Sequence, residues 1–184
     1  MSLQPWRIES SSYIVQDRWL TLTADYCVRS NGAVVGPYYV LKNVEWVSIF
    51  GLTVDREVIL ISEYHHGAGI VGVGLPGGAV SSADELPELA ARRELREETG
   101  YEADRVIDLG AAFANWGNHT NRVHFFLALD CVSSGPQSLD ENEEIEISLV
   151  ALNEFQPTRL QQAYHLTNAL LALNRLAAID SDAP

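Results

Sequence analysis

Apolar residues come in short runs of strand length through most of this chain and change to a helical period near its end. Tyr13 to Val15, Leu20 to Val28 and Val34 to Leu41 predict three strands within the first ~45 residues, divided by polar turns. Asn31-Gly32 between the last two is a tight-hairpin signal, because both residues accept positive φ at little cost. Val47 to Val54 and Val58 to Tyr64 predict two more strands, joined by a turn at Asp55-Arg56. A glycine-rich segment, Gly67 to Gly78, follows; its apolar part, Gly67 to Leu75, reads as a loop or a buried strand. Val106 to Phe113 and Val123 to Val132 predict strands on either side of the polar loop Asn115 to Asn121. The acidic loop Asp140 to Glu144 then leads into a strand from Ile145 to Leu152.

Two segments have a helical pattern. Leu86 to Thr99 is rich in Leu, Ala, Glu and Arg, which favour helix, and its only breaker, Pro87, sits where a first turn tolerates proline. Gly100 stands where a left-handed C-cap belongs. In Arg159 to Ala178 the apolar residues Ala163, Leu166, Leu170, Leu173 and Ala177 recur in alternating steps of three and four, which predicts a second helix on the sheet. The fold class is therefore mixed α/β (α+β), with one central helix between sheets and no linker long enough to separate two independent domains.

Composition narrows the function classes. Of the 184 residues, 47% are apolar and 20% charged, the profile of a soluble globular protein. No stretch approaches the ~18 apolar residues of a membrane span, so no membrane partner is expected. The first residues carry no basic-then-apolar signal, Met1-Ser2-Leu3 can be an expression scar, and a cytoplasmic location is the default. A formal charge of −13 argues against long nucleic acid as a partner but leaves a small phosphorylated ligand open, since a divalent cation reverses the local field. Cys27 and Cys131 belong to no CxxC motif and read as buried free thiols. His119 and His124 lack the spacing of a zinc pair.

The candidate chemistry lies in Arg93-Glu94-Leu95-Arg96-Glu97-Glu98-Thr99-Gly100-Tyr101. Glu94, Glu97 and Glu98 stand at i, i+3 and i+4, so a helix puts all three carboxylates on one face together with Ala90 and Ala91. Glu88, Arg92 and Arg96 occupy another face, where Glu88 and Arg92 are spaced for an ordinary ion pair. Only the second face neutralises itself. Like charges at this spacing repel unless the face is solvated or a cation intervenes, and Mg²⁺, a hard ion that takes carboxylate oxygens and phosphate, suits the first face.

Gly78, Glu85 and Arg93 to Tyr101 resemble the Nudix box, a glycine and a glutamate followed by REUxEExGU, with U a bulky apolar residue. Seven residues lie between Glu85 and Arg93, as in the family pattern, whereas the six between Gly78 and Glu85 are one more than usual, an insertion in the loop Ala79 to Asp84. The resemblance implies a mixed sheet sandwiched between helices over residues 46–184, after a small antiparallel β subdomain over 1–45. It also implies Mg²⁺ (with Mn²⁺ as a substitute) held by Glu94, Glu97, Glu98 and a backbone carbonyl near Gly77, with Arg93 pairing with Glu85.

Outside the box the chain looks most like the ADP-ribose pyrophosphatase branch, on Glu45-Trp46-Val47, Ile59 to Gly67, Leu75 to Gly78 and Leu139 to Glu144. That likeness implies hydrolysis of ADP-ribose or a related nucleoside-diphosphate sugar, a homodimer built partly through the N-terminal strands, and a water-activating glutamate on the acidic loop. Glu141 and Glu143 are the candidates for that base, ahead of Glu144; solvated acidic loop residues are the alternative. Where the branch often has Gln-Tyr-Arg, this chain has Glu63-Tyr64-His65, then His66, so His65 and His66 are either substrate contacts or turn residues. Trp116 either stacks on the substrate or packs, and Trp46 is a substrate contact, a core residue or an interface residue. Two other functions stay open: a Nudix pyrophosphatase for another sugar nucleotide or a dinucleotide such as NADH, and a non-catalytic nucleotide sensor.

Overall fold

Apolar residues occupy both parities of the central strands, which requires a sheet covered on both sides. The computed structural model describes residues 3–82 and 84–181, so Met1 and Ser2, read above as a scar, and Ala83 of the inserted loop lie outside the described residues. The main sheet runs β6 (Ile70–Gly74), β5 (Glu57–His65), β4 (Trp46–Thr53), β8 (Arg122–Ser133), β7 (Tyr101–Phe113). β9 (Ile145–Ala151) pairs antiparallel with the free edge of β5, and β4 runs parallel to β8. Val47 and Ile49 of β4, Ile59 of β5 and Phe126 and Ala128 of β8 form one core with Ala90, Ala91 and Leu95 of α1 (Pro87–Thr99). Phe50, Leu52, Val58, Leu60, Leu127 and Leu129 form the other, with Ala169, Ala172 and Leu176 of α2 (Ala163–Ser181). The expected sandwich is present.

Each helix is fixed by identifiable contacts. α1 starts at Pro87 and stops at Gly100, which adopts φ 70° and donates its N–H to the Arg96 carbonyl at 2.8 Å. Arg92 reaches Glu88 at 3.2 Å on the solvated face, as the spacing predicts. α2 is tied to two strands by Asn168, whose buried amide donates to the Ser48 carbonyl at 2.8 Å and to the Phe126 carbonyl at 3.4 Å.

By contacts the described chain divides into two compact units, residues 3–44 with 113–122, and 45–112 with 123–181. The first holds an antiparallel sheet, β1 (Arg7–Gln16), β2 (Thr21–Val28) and β3 (Val34–Leu41). Within it, Leu41 exchanges backbone hydrogen bonds with Asn118 at 2.8 Å and Thr120 at 3.1 Å.

Several expectations need correction. β1 is ten residues long rather than Tyr13 to Val15, because pairing with β2 carries a polar stretch that no apolar pattern reveals. Of Asn31 and Gly32 only the glycine takes positive φ (81°); Asn31 instead accepts the Ala33 N–H on its side chain. The glycine-rich segment contains an edge strand, β6, with Val71 exposed, rather than a loop or a buried strand. α2 begins after a 3₁₀ turn at Pro157–Arg159, and its buried stripe is Ala169, Ala172 and Leu176, leaving the expected Leu170 exposed. That helix is apolar on most of its surface, so periodicity gives its existence but not its phase.

Candidate active site

The segment from Leu75 to Val80 runs along β4, with Ile49 N–H donating to the Pro76 carbonyl (2.8 Å) and Val47 N–H to the Gly78 carbonyl (2.9 Å). That alternation turns the Gly77 N–H away from β4 and onto the Glu98 carboxylate at 2.8 Å. Both glycines sit in close quarters, Gly77 against backbone and Gly78 against a side chain. A Cβ on Gly77 would lie 2.2 Å from the Val47 carbonyl oxygen, and one on Gly78 would lie 2.4 Å from a Glu94 carboxylate oxygen.

Arg93 holds the acidic face of α1. Its guanidinium donates to Glu85 (3.1 Å), to the Ala79 carbonyl (2.9 Å), and to both Glu94 and Glu97 at 2.9 Å. Arg93 and the Ser81 N–H hold the Glu85 carboxyl below the usual range. The acidic face is thus partly neutralised by Arg93, which corrects the reading of an uncompensated face. The expected Arg93–Glu85 pair is present despite the one-residue insertion.

The Glu98 carboxyl is held toward its neutral form. Burial above all, and then the charges of Glu94, Glu143 and Glu63, push its carboxyl up to about 9, against the opposing effect of the Gly77 N–H. Glu94 is likewise raised, first by burial, with Glu97 and Glu143 adding to it and Arg93 opposing. Of the acidic loop, therefore, Glu143 is felt at both helix carboxylates. It is half-buried, whereas Glu141 and Glu144 are exposed. The Glu143 side chain accepts the Asp140 N–H at 2.9 Å.

Among the described residues no three acidic, histidine or cysteine side chains converge as a ready metal cage. The donor set nonetheless fits a divalent cation chemically: hard carboxylate oxygens, those of the half-buried Glu94 and the buried Glu98 with their ionisation penalised by burial.

Other expected residues lie elsewhere. His65 ends β5 and His66 opens the β5–β6 turn, both exposed, and His66 Nδ1 is 3.3 Å from the Tyr64 hydroxyl. Trp116 belongs to the first unit and is 88% exposed, so the packing alternative does not hold for it within that unit. Trp46 packs edge-on against Tyr164 at 5.9 Å and lines, with Gly77, Gly78, Tyr164 and His165, a cavity of about 130 Å³.

Tyr164 and His165 were not legible as site residues. They open α2, and the only sequence signal was their place at the helix start. The Leu75 N–H donates to His165 Nδ1 at 2.5 Å. Burial first, and the neighbouring His65 second, push the His165 imidazolium down to about 4. Between the ordinary value of 6.5 and about 4, the unfolded chain therefore holds a proton here that the folded protein does not. Stability is expected to fall as pH drops through that window and to level off below it, by at most about 3 kcal/mol. Urea denaturation at pH 7 and pH 4.5 measures the drop, and His165→Asn should flatten it; an unchanged slope in the variant refutes this origin.

With that geometry in place, comparison with known proteins decides the family. The NUDIX domain pattern matches residues 43–170. The chain belongs to the Nudix family. Residues 6–41 match a second family, the nucleoside diphosphate sugar hydrolase N-terminal domain. Relatives include an ADP-ribose pyrophosphatase of Bacillus subtilis, 30% identical over 62% of this chain and 62% of that protein. A Saccharomyces cerevisiae ADP-ribose pyrophosphatase is 28% identical over 60% of this chain and 51% of its own, and a Bacillus methanolicus methanol dehydrogenase activator 25% identical over 59% and 58%. The chain thus spans about half to three-fifths of the length of the curated relatives it matches. A crystal structure of an ADP compounds hydrolase shares the Nudix fold, with a TM-score of 0.85, 23% identity and 97% of both chains covered.

Proposed function

We propose that this Nudix protein hydrolyses the diphosphate linkage of ADP-ribose or a related nucleoside-diphosphate sugar, releasing a nucleoside monophosphate and a sugar phosphate. The observation that carries the reading is the placement of the half-buried Glu94 and the buried Glu98 against Gly78 and Gly77, with the charge of Glu143 turned on the same place. Such a cluster is costly for a protein that binds no cation, since Glu94 and Glu98 lose hydration while Arg93 is shared among Glu85, Glu94 and Glu97. The match of residues 6–41 to the nucleoside diphosphate sugar hydrolase N-terminal domain and the ADP-ribose pyrophosphatase relatives support the substrate class.

In this scheme Glu94, Glu97, Glu98 and the backbone at Gly77 hold Mg²⁺, or Mn²⁺ in its place. When bound, the ion supplies Lewis-acid polarisation of the diphosphate and offsets charge on the leaving phosphate. Arg93 fixes α1 against the loop through Glu85 and Ala79, and so sets where the carboxylates stand. Glu143 is the loop carboxylate we assign as base toward the attacking water, with Glu141 as the alternative. His65 at the end of β5, and Trp46 beside Gly77 and Gly78, are the substrate contacts in this unit; His66 and Trp116 remain assignments from the resemblance alone.

The proposal includes a division into a β subdomain over residues 1–45 and a catalytic region over 46–184. It also includes a homodimer in a cytoplasmic setting. Dimerisation is supported by the first unit's sheet, where Ile8, Tyr13, Ile14 and Val15 of the edge strand β1 are exposed, as are Val34 and Tyr39 of β3 on the other side of β2. The buried, unpaired Cys27 and Cys131 suit a reducing compartment. No described helix is long and apolar enough to cross a membrane.

A product-resolved screen of nucleotide diphosphates and triphosphates with Mg²⁺ and Mn²⁺ tests the function. AMP should appear from ADP-ribose, with triphosphates cut more slowly. Faster triphosphate cleavage defeats the substrate assignment, and nucleotide binding without any turnover replaces the enzyme with a sensor.

A further inference from the structure

A second cavity, of about 260 Å³, opens between the β5–β6 turn and the start of α2. Its side-chain lining includes His65, Gln161, Gln162, Tyr164 and His165, with Gly72 and Gly74 of β6 as backbone wall. None of the described residues lining it is an acid, a lysine or an arginine. Tyr164 and His165 also line the smaller cavity at Trp46, Gly77 and Gly78, so the two spaces adjoin through these side chains. The Tyr164 ring is already engaged by Trp46 at 5.9 Å and by His165 at 4.5 Å. What the larger cavity offers is therefore neutral hydrogen-bonding groups rather than an open aromatic face.

His165 is held there by two features. Gly74 leaves room for its ring, since a Cβ at that position would lie 2.9 Å from Cε1 and 3.0 Å from Nδ1. The Leu75 N–H donates to Nδ1, and a ring nitrogen that accepts a hydrogen bond carries no proton. The ring is then neutral, with its one N–H at Nε2, in agreement with the burial that disfavours the imidazolium.

We propose that this cavity is the subsite for a neutral, hydroxyl-bearing group attached beyond the diphosphate, and that His165 donates its Nε2–H to one of that group's oxygens. The hydrolase reading enters only in placing the diphosphate at Gly77 and Gly78. An uncharged lining penalises an ionic group, because a phosphate entering it loses water and meets no counter-charge. Amide and imidazole donors, by contrast, match sugar hydroxyls, and a pocket built around such bonds discriminates against ligands that leave its polar groups unpaired. The subsite thus gives a physical reason for a diphosphate sugar to be preferred over a triphosphate.

Equilibrium titration of ADP-ribose and of ADP, alongside turnover of ADP-ribose, tests this in wild type and His165→Asn. The asparagine oxygen can replace Nδ1 as acceptor for Leu75 but cannot reach as far as Nε2–H. The Kd for ADP-ribose should rise about 10-fold while that for ADP changes less than about 2-fold. Gln162→Ala, a change at the cavity wall outside the packed core, should show the same selectivity at several-fold, and it decides the matter if His165→Asn does not fold. Equal weakening of both ligands, no weakening of either, or no binding of ADP-ribose by wild type overturns the proposal. The selective pattern without any turnover upholds the subsite and defeats the hydrolase reading alone.

Discussion

Glu97→Gln should lower kcat for ADP-ribose by roughly 10³-fold, about 4 kcal/mol of barrier, while Tm stays within a few degrees of wild type. The asymmetry follows from where Glu97 stands. Its side chain is 39% exposed, the most open of the three helix carboxylates, and among the described residues that side chain is paired with Arg93 at 2.9 Å. An i,i+4 ion pair of that kind is worth only a few tenths of a kcal/mol, so the fold loses little. Catalysis loses far more if Glu97 supplies an oxygen to the cation, because the isosteric amide keeps the shape and removes the charge. The same variant should also reduce the rise in Tm that saturating Mg²⁺ gives wild type, a readout independent of turnover. Activity within about threefold of wild type, with an unchanged Mg²⁺ effect on Tm, would remove Glu97 from the metal site.

What the sequence conveys about this protein depends on the range of the interaction concerned. Helix α1 was legible because its determinants are local: Pro87 at the start, Gly100 at the end, and carboxylates on one face by spacing alone. The covered sheet was legible because both parities of β4, β5 and β8 are apolar, which leaves helices on both sides as the available solution. The rest depends on distant partners. β1 is a strand because β2 pairs with it, although Glu9 to Ser12 show no strand pattern. Residues 113–122 join the first unit through Leu41, more than seventy positions earlier in the chain, a contact no periodicity encodes. Arg93 was legible as the partner of Glu85 through the family motif, but its simultaneous hold on Glu94, Glu97 and the Ala79 carbonyl is a matter of three-dimensional placement. Tyr164 and His165 entered the site for the same reason: α2 carries them there, and the phase of a helix with apolar residues on most of its surface cannot be deduced from its pattern.

Gly77→Ala and Gly78→Ala should have opposite consequences, although the residues are adjacent and each lacks room for a methyl group. At Gly77 the added carbon would meet the Val47 carbonyl oxygen at 2.2 Å, with the Ser48 Cα at 3.1 Å behind it. Both atoms are backbone of β4, a central strand bonded to β5 and β8, so neither can yield without disturbing the sheet. A cost of about 3 kcal/mol or more is expected, which lowers Tm by roughly 6–12 °C in a chain of this size. At Gly78 the added carbon would instead meet Glu94, whose carboxylate atoms lie 2.4–2.7 Å away at the far end of a flexible side chain. The carboxylate can swing aside at little expense to the fold, and it then leaves the position that Arg93 holds from one side and Gly78 bounds from the other. Gly78→Ala is therefore expected to fold with Tm within about 3 °C of wild type and to lose 10- to 100-fold or more in kcat/KM, by the misplacement of one charged group. Thermal melts and steady-state rates on the two variants separate the cases. A Gly78→Ala protein that is both stable and fully active would show that the position of the Glu94 carboxylate has no bearing on the reaction.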